Sequence, residues 1–344
     1  MSKDHTGVCA LRARFTGHGC IQVARSLFAL LALVIAACSS GTNGPLSASP
    51  APTAASTKIP RFSHVFVIVM ENESAQAILG KPAAAYINQL AGQYDVALRY
   101  FAVSHPSLPN YLALTSGTTA PLDGTDCGVS SDCHVPGANS NLADEIEASG
   151  RSWVAYMESM PAPCTLMNSH QYVVRHNPFV YYDDIRTGAG GRCALHDLPY
   201  DRVAFESALA LGQAPDFVWI TPNVCNDGHD PCGGDPVAHS DAWLAQNVPA
   251  ILASSAFQQG GALFITWDEG SSDEGCCGLA SGGGQVATMV ISPLARGAYQ
   301  STVLYTHYSL LRTIEESWHL GLLNNTNPAV RPGTRPMDDI FATG

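Results

Sequence analysis

Two pairs of side chains have the chemistry to hold a divalent cation. Glu71 and Asn72 follow the uncharged run Phe66–Met70, and Asp268 and Glu269 follow Leu263–Trp267. Carboxylate and amide oxygens are the hard donors that such a cation selects. Ser107 and Asn110 offer a second chemistry. A serine hydroxyl that loses its proton beside a metal can attack phosphorus. An amide one helical turn further on can donate to a non-bridging phosphate oxygen. Each residue also has a plainer reading, as a helix cap or a turn residue. Two acidic strand ends in one chain weigh towards chemistry.

The elements that must position these residues are legible from periodicity. Short uncharged runs rich in Val, Ile and Phe read as strands buried on both faces. In an open parallel sheet, ligands bind beyond the carboxyl ends of the strands. A third strand, Asp216–Thr221, runs into Pro222-Asn223 and then the polar loop Cys225–Asp230. A strand over Ala97–Val103 leads through Ser104-His105-Pro106 into the helix-like Tyr111–Thr115, so Ser107 falls near a helix N-terminus. Free N–H groups and the positive dipole end there suit a phosphate. Further helices are predicted over Pro82–Gln93, Asn141–Ser149, Val203–Leu211, His239–Ser254 and Thr306–Trp318. Further strands are predicted over Ser152–Met157 and Val286–Ile291. Pro161–Pro199 has little periodicity and reads as a long functional insertion. The strand–helix alternation predicts an α/β fold, a mainly parallel central sheet flanked by helices and carrying loop insertions.

Composition sets the bounds. A chain of 344 residues, 46% hydrophobic, is ample to bury a core. The formal net charge of −12 argues against a nucleic-acid partner, which calls for basic clusters. Arg12, Arg14 and Arg25 precede the apolar run Leu27–Ala37, too short to span a bilayer. This pattern predicts a signal peptide over 1–37. Ile35-Ala36-Ala37-Cys38 resembles a bacterial lipobox, which predicts lipidation of Cys38 and attachment to the membrane through a lipid anchor. The alternative is ordinary cleavage near Ala36-Ala37 and release. Residues 38–60 are rich in Ser, Thr, Ala and Pro and read as a flexible tether. The folded domain is expected over 61–344. Eight cysteines lie beyond Cys38, an even number that in an exported chain reads as disulfides. Cys127–Cys133 and Cys225–Cys232 are the expected local pairs. Adjacent Cys276 and Cys277 are expected to bond elsewhere rather than to each other.

The motifs MENES, HPSLPNYLALTSG, ITPNVCNDGHD, FITWDEG and YTHYSLLRTIEE, in this order, resemble those of the bacterial phosphoesterase family. That family comprises secreted acid phosphatases, including phosphatidylinositol 3-phosphate phosphatases, and phospholipases C. It looks like a branch of the alkaline phosphatase superfamily. The likeness covers nearly all of Arg61–Leu322. It implies an alkaline-phosphatase-like fold, Ser107 as nucleophile and Asn110 as a phosphate-contacting amide. It implies Glu71, Asn72, Asp268 and Glu269 as metal ligands. It suggests His229 and His307 as phosphate or second-metal contacts, and His105, Arg175 and His176 as further substrate-binding candidates. A Pro-Asp, Gly-His metal segment of the superfamily matches Pro222-Asn223 and Gly228-His229, with Asn in place of Asp.

The function expected is an exported, metal-dependent phosphomonoesterase working through a phosphoserine. Its substrate would be a phosphate ester, with a phospholipid head group among the candidates. A phospholipase C or other phosphodiesterase is the alternative. A non-catalytic surface lipoprotein is the alternative of another class, and it predicts a decayed site where every motif here keeps its polar residues.

Overall fold

Val65–Met70 (β1) and Ala262–Trp267 (β6) carry no charge, and all six residues of each are buried. They pair in parallel, in a register that sets Met70 against Trp267. On its other side β1 pairs in parallel with Phe217–Thr221 (β5), which pairs with Trp153–Met157 (β3), itself paired with Asp197–Pro199 (β4). The full sheet has nine strands in the order β4-β3-β5-β1-β6-β8-β2-β7, with β9 also pairing β2. Here β2 is Asp95–Phe101, β7 Gln285–Val286, β8 Thr288–Ile291 and β9 Gln300–Thr306. The computed structural model describes residues 58–341 apart from 138, 189 and 280. The expected signal peptide, all but the end of the tether and Cys38 lie outside the described residues. Ile59 and Phe62, the first described apolar residues, are both buried.

The α/β architecture with a mainly parallel sheet is as expected, with local differences. The strand read over Val286–Ile291 runs antiparallel to β6 and β2. Strand β9 was not legible: its QSTVLYT mixes exposed and buried positions rather than forming a buried run. Of the helices, Leu142–Ala148 (α3) has a capping box in which Asn141 and Asp144 exchange hydrogen bonds, as its sequence predicts. Helix α2, Ser107–Ser116, is unusual in that all ten of its residues are buried. Gly117 ends it at φ 71°, and a Cβ there would meet the Leu323 carbonyl oxygen at 2.3 Å, so only glycine fits. The other long helices are Ala85–Gln93 (α1), Arg202–Ala210 (α4), Pro236–Ala253 (α5) and His307–Trp318 (α6).

Disulfides staple the loops. Cys127–Cys133 and Cys225–Cys232 pair as expected, and Cys164–Cys193 closes the 161–199 insertion. Cys276 pairs with its neighbour Cys277, contrary to expectation. The other six cysteines among the described residues bond among themselves, so among those residues the loop has no distant partner left.

Candidate active site

The parallel register of β1 and β6 brings two acidic strand ends together. Asp268 N–H continues the ladder to Met70 O at 2.9 Å, and Asn72 N–H donates to Asp268 Oδ1 at 3.1 Å. Asn72 has a positive φ of 60°, a backbone state that Asn tolerates better than most residues. It enters the site through that N–H. Glu71 and Asp268 are both fully buried, and Glu269 is 7% exposed.

Two loops close over this pair. Past β5 the chain turns back so that Glu71 N–H donates to Asp227 O at 2.9 Å. The turn requires Gly228, at φ 107°, where a Cβ would stand 3.0 Å from Glu71 O. The insertion supplies Arg175 and His176. His176 Nε2 lies 3.3 Å from Glu71 Oε1, and its Nδ1 lies 3.4 Å from Asp227 Oδ2. Buried Asp268 Oδ2, Asp227 Oδ2 and His176 Nε2 nevertheless have no hydrogen-bond partner.

Ser107 opens α2 and is 2% exposed. Its hydroxyl makes no helix cap. Instead Oγ donates towards Glu71 Oε2 at 3.2 Å and lies 3.5 Å from Glu269 Oε1. Tyr111, one turn along the same helix, donates to Glu71 Oε1 at 2.7 Å. Glu269 Oε2 meets His105 Nδ1 at 2.6 Å, and the other ring nitrogen of His105 meets Ser272 O at 3.0 Å. A neutral imidazole can donate to only one of those two acceptors. The pair is therefore complete when Glu269 keeps its proton.

Burial and mutual repulsion dominate the electrostatics. Burial first, then Asp268 and Asp227, hold the Glu71 carboxyl well above the usual range, against the Tyr111 hydrogen bond. Burial, then Glu269, pushes Asp268 up to about 7. Burial, then Asp126, pushes Glu269 up to about 8. Asp227 is also held well above the carboxylate range by burial. Burial, then Arg175, pushes His176 well below the usual imidazole value, which leaves it a neutral donor of lone pairs.

These residues fit a divalent cation. Glu71, His176 and His229 each offer one ligand atom, all within 4.8 Å of one another. His229 Nδ1 is hydrogen-bonded to Asp230 Oδ1 at 2.8 Å, an outer-shell carboxylate of the kind that orients a metal-binding imidazole. Its Nε2 lone pair accepts from Arg175 Nη2 at 3.1 Å, a contact that a bound cation would replace. The orphaned oxygens of Asp227 and Asp268 are acceptors in want of a cation.

Two expectations need correction. The Asn110 amide is spent on its own loop: Nδ2 donates to Ser104 O at 2.8 Å and Oδ1 accepts from Val103 and Ser104 N–H at 3.0 and 3.1 Å. It holds the turn that presents Ser107, rather than facing a phosphate. His307 is fully buried, its pKa pushed down to about 4 by burial. It accepts at Nδ1 from Tyr100 OH (3.1 Å) and donates from Nε2 to Asp268 O (2.6 Å), so it positions the Asp268 backbone. The helix N-terminus is also less open than expected. Leu108 N–H is taken by Asp126 Oδ1 at 2.9 Å, and Pro109 has no N–H. Asn223 makes a turn, accepting from Cys225 and Asn226 N–H at 3.0 and 3.1 Å. Asp227, four residues on, is the carboxylate that reaches the site. Neither Asp227 nor Tyr111 was singled out from sequence; acidity within the Cys225–Asp230 loop was the only signal.

A family model described as the phosphoesterase family matches residues 81–321. The chain belongs to the phosphoesterase family. It is 32% identical over 288 residues to a phosphatidylinositol-3-phosphatase of Mycobacterium tuberculosis, covering 82% of this chain and 87% of that protein. It is 27% identical over 278 residues to an acid phosphatase of Aspergillus fumigatus, covering 75% of this chain and 55% of that longer protein. Among solved structures, a protein of the alkaline phosphatase superfamily from Vibrio parahaemolyticus superposes with a TM-score of 0.53 at 10% identity, over 76% of this chain and 68% of that one. The lipoteichoic acid synthase of Listeria monocytogenes gives 0.52 at 9% identity, over 77% and 74%. The fold is alkaline-phosphatase-like, and this member of the phosphoesterase family is a hydrolase of phosphate esters. No helix among the described residues is long and apolar enough to cross a membrane.

Proposed function

We propose that the protein is an exported, metal-dependent phosphomonoesterase with Ser107 as nucleophile. The observation that carries this reading is the environment of Ser107 Oγ, at the start of a buried helix and within reach of Glu71 and Glu269. A bound divalent cation would favour the deprotonated serine and offset charge on the phosphate. Glu71, Asp227, Asp268, His176 and His229 would hold it, with Glu269 and Asn72 as further ligand candidates. The chain's own residues supply the rest. The Ser107 proton would pass to Glu269, whose Oε1 lies 3.5 Å from Oγ and whose other oxygen meets His105. Oγ attacks phosphorus in line, the bond to the alcohol oxygen breaks, and a phosphoserine forms. The departing oxygen takes its proton at the mouth, where His105 is partly exposed. Water then attacks the phosphoserine, the P–Oγ bond breaks, Oγ takes back a proton, and inorganic phosphate leaves. Arg175, also at the mouth, would bind the phosphate oxygens.

A phosphoinositide head group is the first substrate to test, because the Mycobacterium relative carries that activity in its name. Export is supported by the disulfides and by the 1–37 signal pattern, and lipidated Cys38 would then anchor the chain. The test is to assay the purified chain on a phosphate monoester and a diester, with and without chelator, beside Ser107→Ala. Turnover of the monoester that chelator abolishes, with a loss on the order of a thousandfold or more in Ser107→Ala, is expected. Retained turnover in Ser107→Ala would falsify the serine mechanism. Preference for the diester would move the protein to the phosphodiesterase reading.

A further inference from the structure

Beside the mouth of the site lies a cleft of about 240 Å³ that shares Arg175 and Asp126 with it. Beside Gly128 and Asn168, its remaining lining is apolar: Val129, Leu166, Met167 and Val174. Met167 is 75% exposed, far out of character for a methionine with no structural partner. We infer that this cleft receives the alcohol half of the substrate and selects an alcohol that is uncharged and apolar next to the ester oxygen, which ranks a phosphoinositide, with its hydroxylated ring and second phosphate, below a simple apolar ester. The inference rests on the phosphomonoesterase reading and specifies its substrate.

Three observations carry it. The first is continuity. Arg175 Nη2 contacts His229 Nε2 inside the site, while its Nε, 3.2 Å from Asp126 Oδ2, has no hydrogen-bond partner. A phosphate held by Arg175 therefore has the cleft as its neighbour. The second is charge. Asp126 stands at the shared boundary, fixed there by Leu108 N–H, and repels a second anionic group on the alcohol. The third is that the cleft is built rather than incidental. The Val129 wall lies within the loop closed by Cys127–Cys133, and the Leu166–Met167 wall follows Cys164, tied to Cys193. Asn168 Oδ1 accepts from Val174 N–H at 2.9 Å, and Tyr172 OH donates to Thr165 O at 2.8 Å, which fixes the second wall. Walls held this way are pre-formed, as ligand pockets usually are.

The test compares 1-naphthyl phosphate with glycerol 2-phosphate, in the wild-type chain and in the double variant Leu166→Ser, Met167→Ser. Both side chains are exposed, so the fold should survive. Wild type should favour the naphthyl ester. The variant should raise KM for that ester about tenfold, with kcat and the glycerol ester nearly unchanged, as expected for lost apolar contact. Equal changes on both esters, or none on either, would overturn the assignment while leaving the phosphatase reading intact. Binding separates the two ideas further, because it needs no turnover. Benzylphosphonate should bind wild type, with magnesium or zinc added, about tenfold more tightly than methylphosphonate, and the variant should lose that margin. If neither ester is hydrolysed, the phosphatase reading fails. If the two phosphonates then also bind wild type alike, the cleft assignment fails with it.

Discussion

Arg192 reaches three carboxylates at once: Nη2 donates to Asp144 Oδ1 at 2.7 Å, Nη1 to Asp184 Oδ2 at 2.6 Å and Nε to Glu147 Oε1 at 2.9 Å. That cluster is partly exposed, with the three carboxylates 22–40% accessible. At the carboxyl ends of β1 and β6, Glu71, Asp227, Asp268 and Glu269 are packed as closely and buried more deeply. Among the described residues no Lys or Arg forms an ion pair with any of the four; their only ion-pair partners are His105 and His176. Both clusters belong to one chain and obey one electrostatics, so the difference points to role. The first carries its own cation and ties α3 to the insertion. On the proposed reading, the second is arranged at a cost in metal-free stability, as a site that a cation would complete.

The largest expected effect sets the two clusters apart by metal. Asp268→Asn keeps the shape of the side chain and removes a charge that the proposed cation would use. It should lower bound metal and reduce turnover on the order of a thousandfold. Arg192→Ala should leave both nearly unchanged. Metal content by elemental analysis, with kcat on a phosphate monoester, checks the pair. Full metal occupancy in Asp268→Asn would break the contrast.

A second expectation concerns pH. Burial raises Asp268 to about 7 and Glu269 to about 8, and holds Glu71 and Asp227 well above the usual range. Unfolded, these groups titrate near pH 4. Between those limits the folded protein binds protons that the unfolded chain has released. Chelated protein should therefore be most stable in acid and lose stability as pH rises from about 4 to about 8. A divalent cation should flatten the loss, since it binds the folded state alone. Denaturant midpoints across that range, with chelator and with metal, are the measurement. A chelated protein whose stability rises with pH would contradict the assignment of these carboxylates.

What the sequence made legible follows from the range of the interactions involved. Uncharged runs ending in Glu71 and Asp268 betray buried strands whatever surrounds them. Ser107 shows its strand-to-helix position through residues beside it, and Cys127–Cys133 closes locally. Other features depend on contacts between distant residues. Asp227 reaches the site because Glu71 N–H binds its carbonyl oxygen, a pairing across 156 positions that no local pattern announces. Asn110 and His307 look like site residues by motif, but Ser104 O and Asp268 O take their donors first. The β9 edge strand mixes exposed and buried side chains, so its period was hidden.

The smallest expected effect tests the sign of the comparison rather than its size. Arg192 is 14% exposed, and its removal leaves three neighbouring carboxylates without their shared cation. Arg192→Ala should lower stability by about 1–3 kcal/mol, discounted from a fully buried network because water reaches the carboxylates. Chelator should not alter that loss. Glu71→Gln changes the other cluster in the opposite sense. It removes one of four mutually repelling carboxyls and can retain the acceptor oxygen for Tyr111. With chelator at pH 8 it should therefore raise stability, by about 1–2 kcal/mol on the scale of replacing a buried, uncompensated charge. With metal present it should fall below wild type, because the cation no longer stabilises it. Urea midpoints of the two variants, each with and without metal, give four comparisons. A Glu71→Gln that is destabilised in chelator as well would show that the Glu71 carboxyl holds the fold through its own hydrogen bonds, and that the two clusters differ in burial alone.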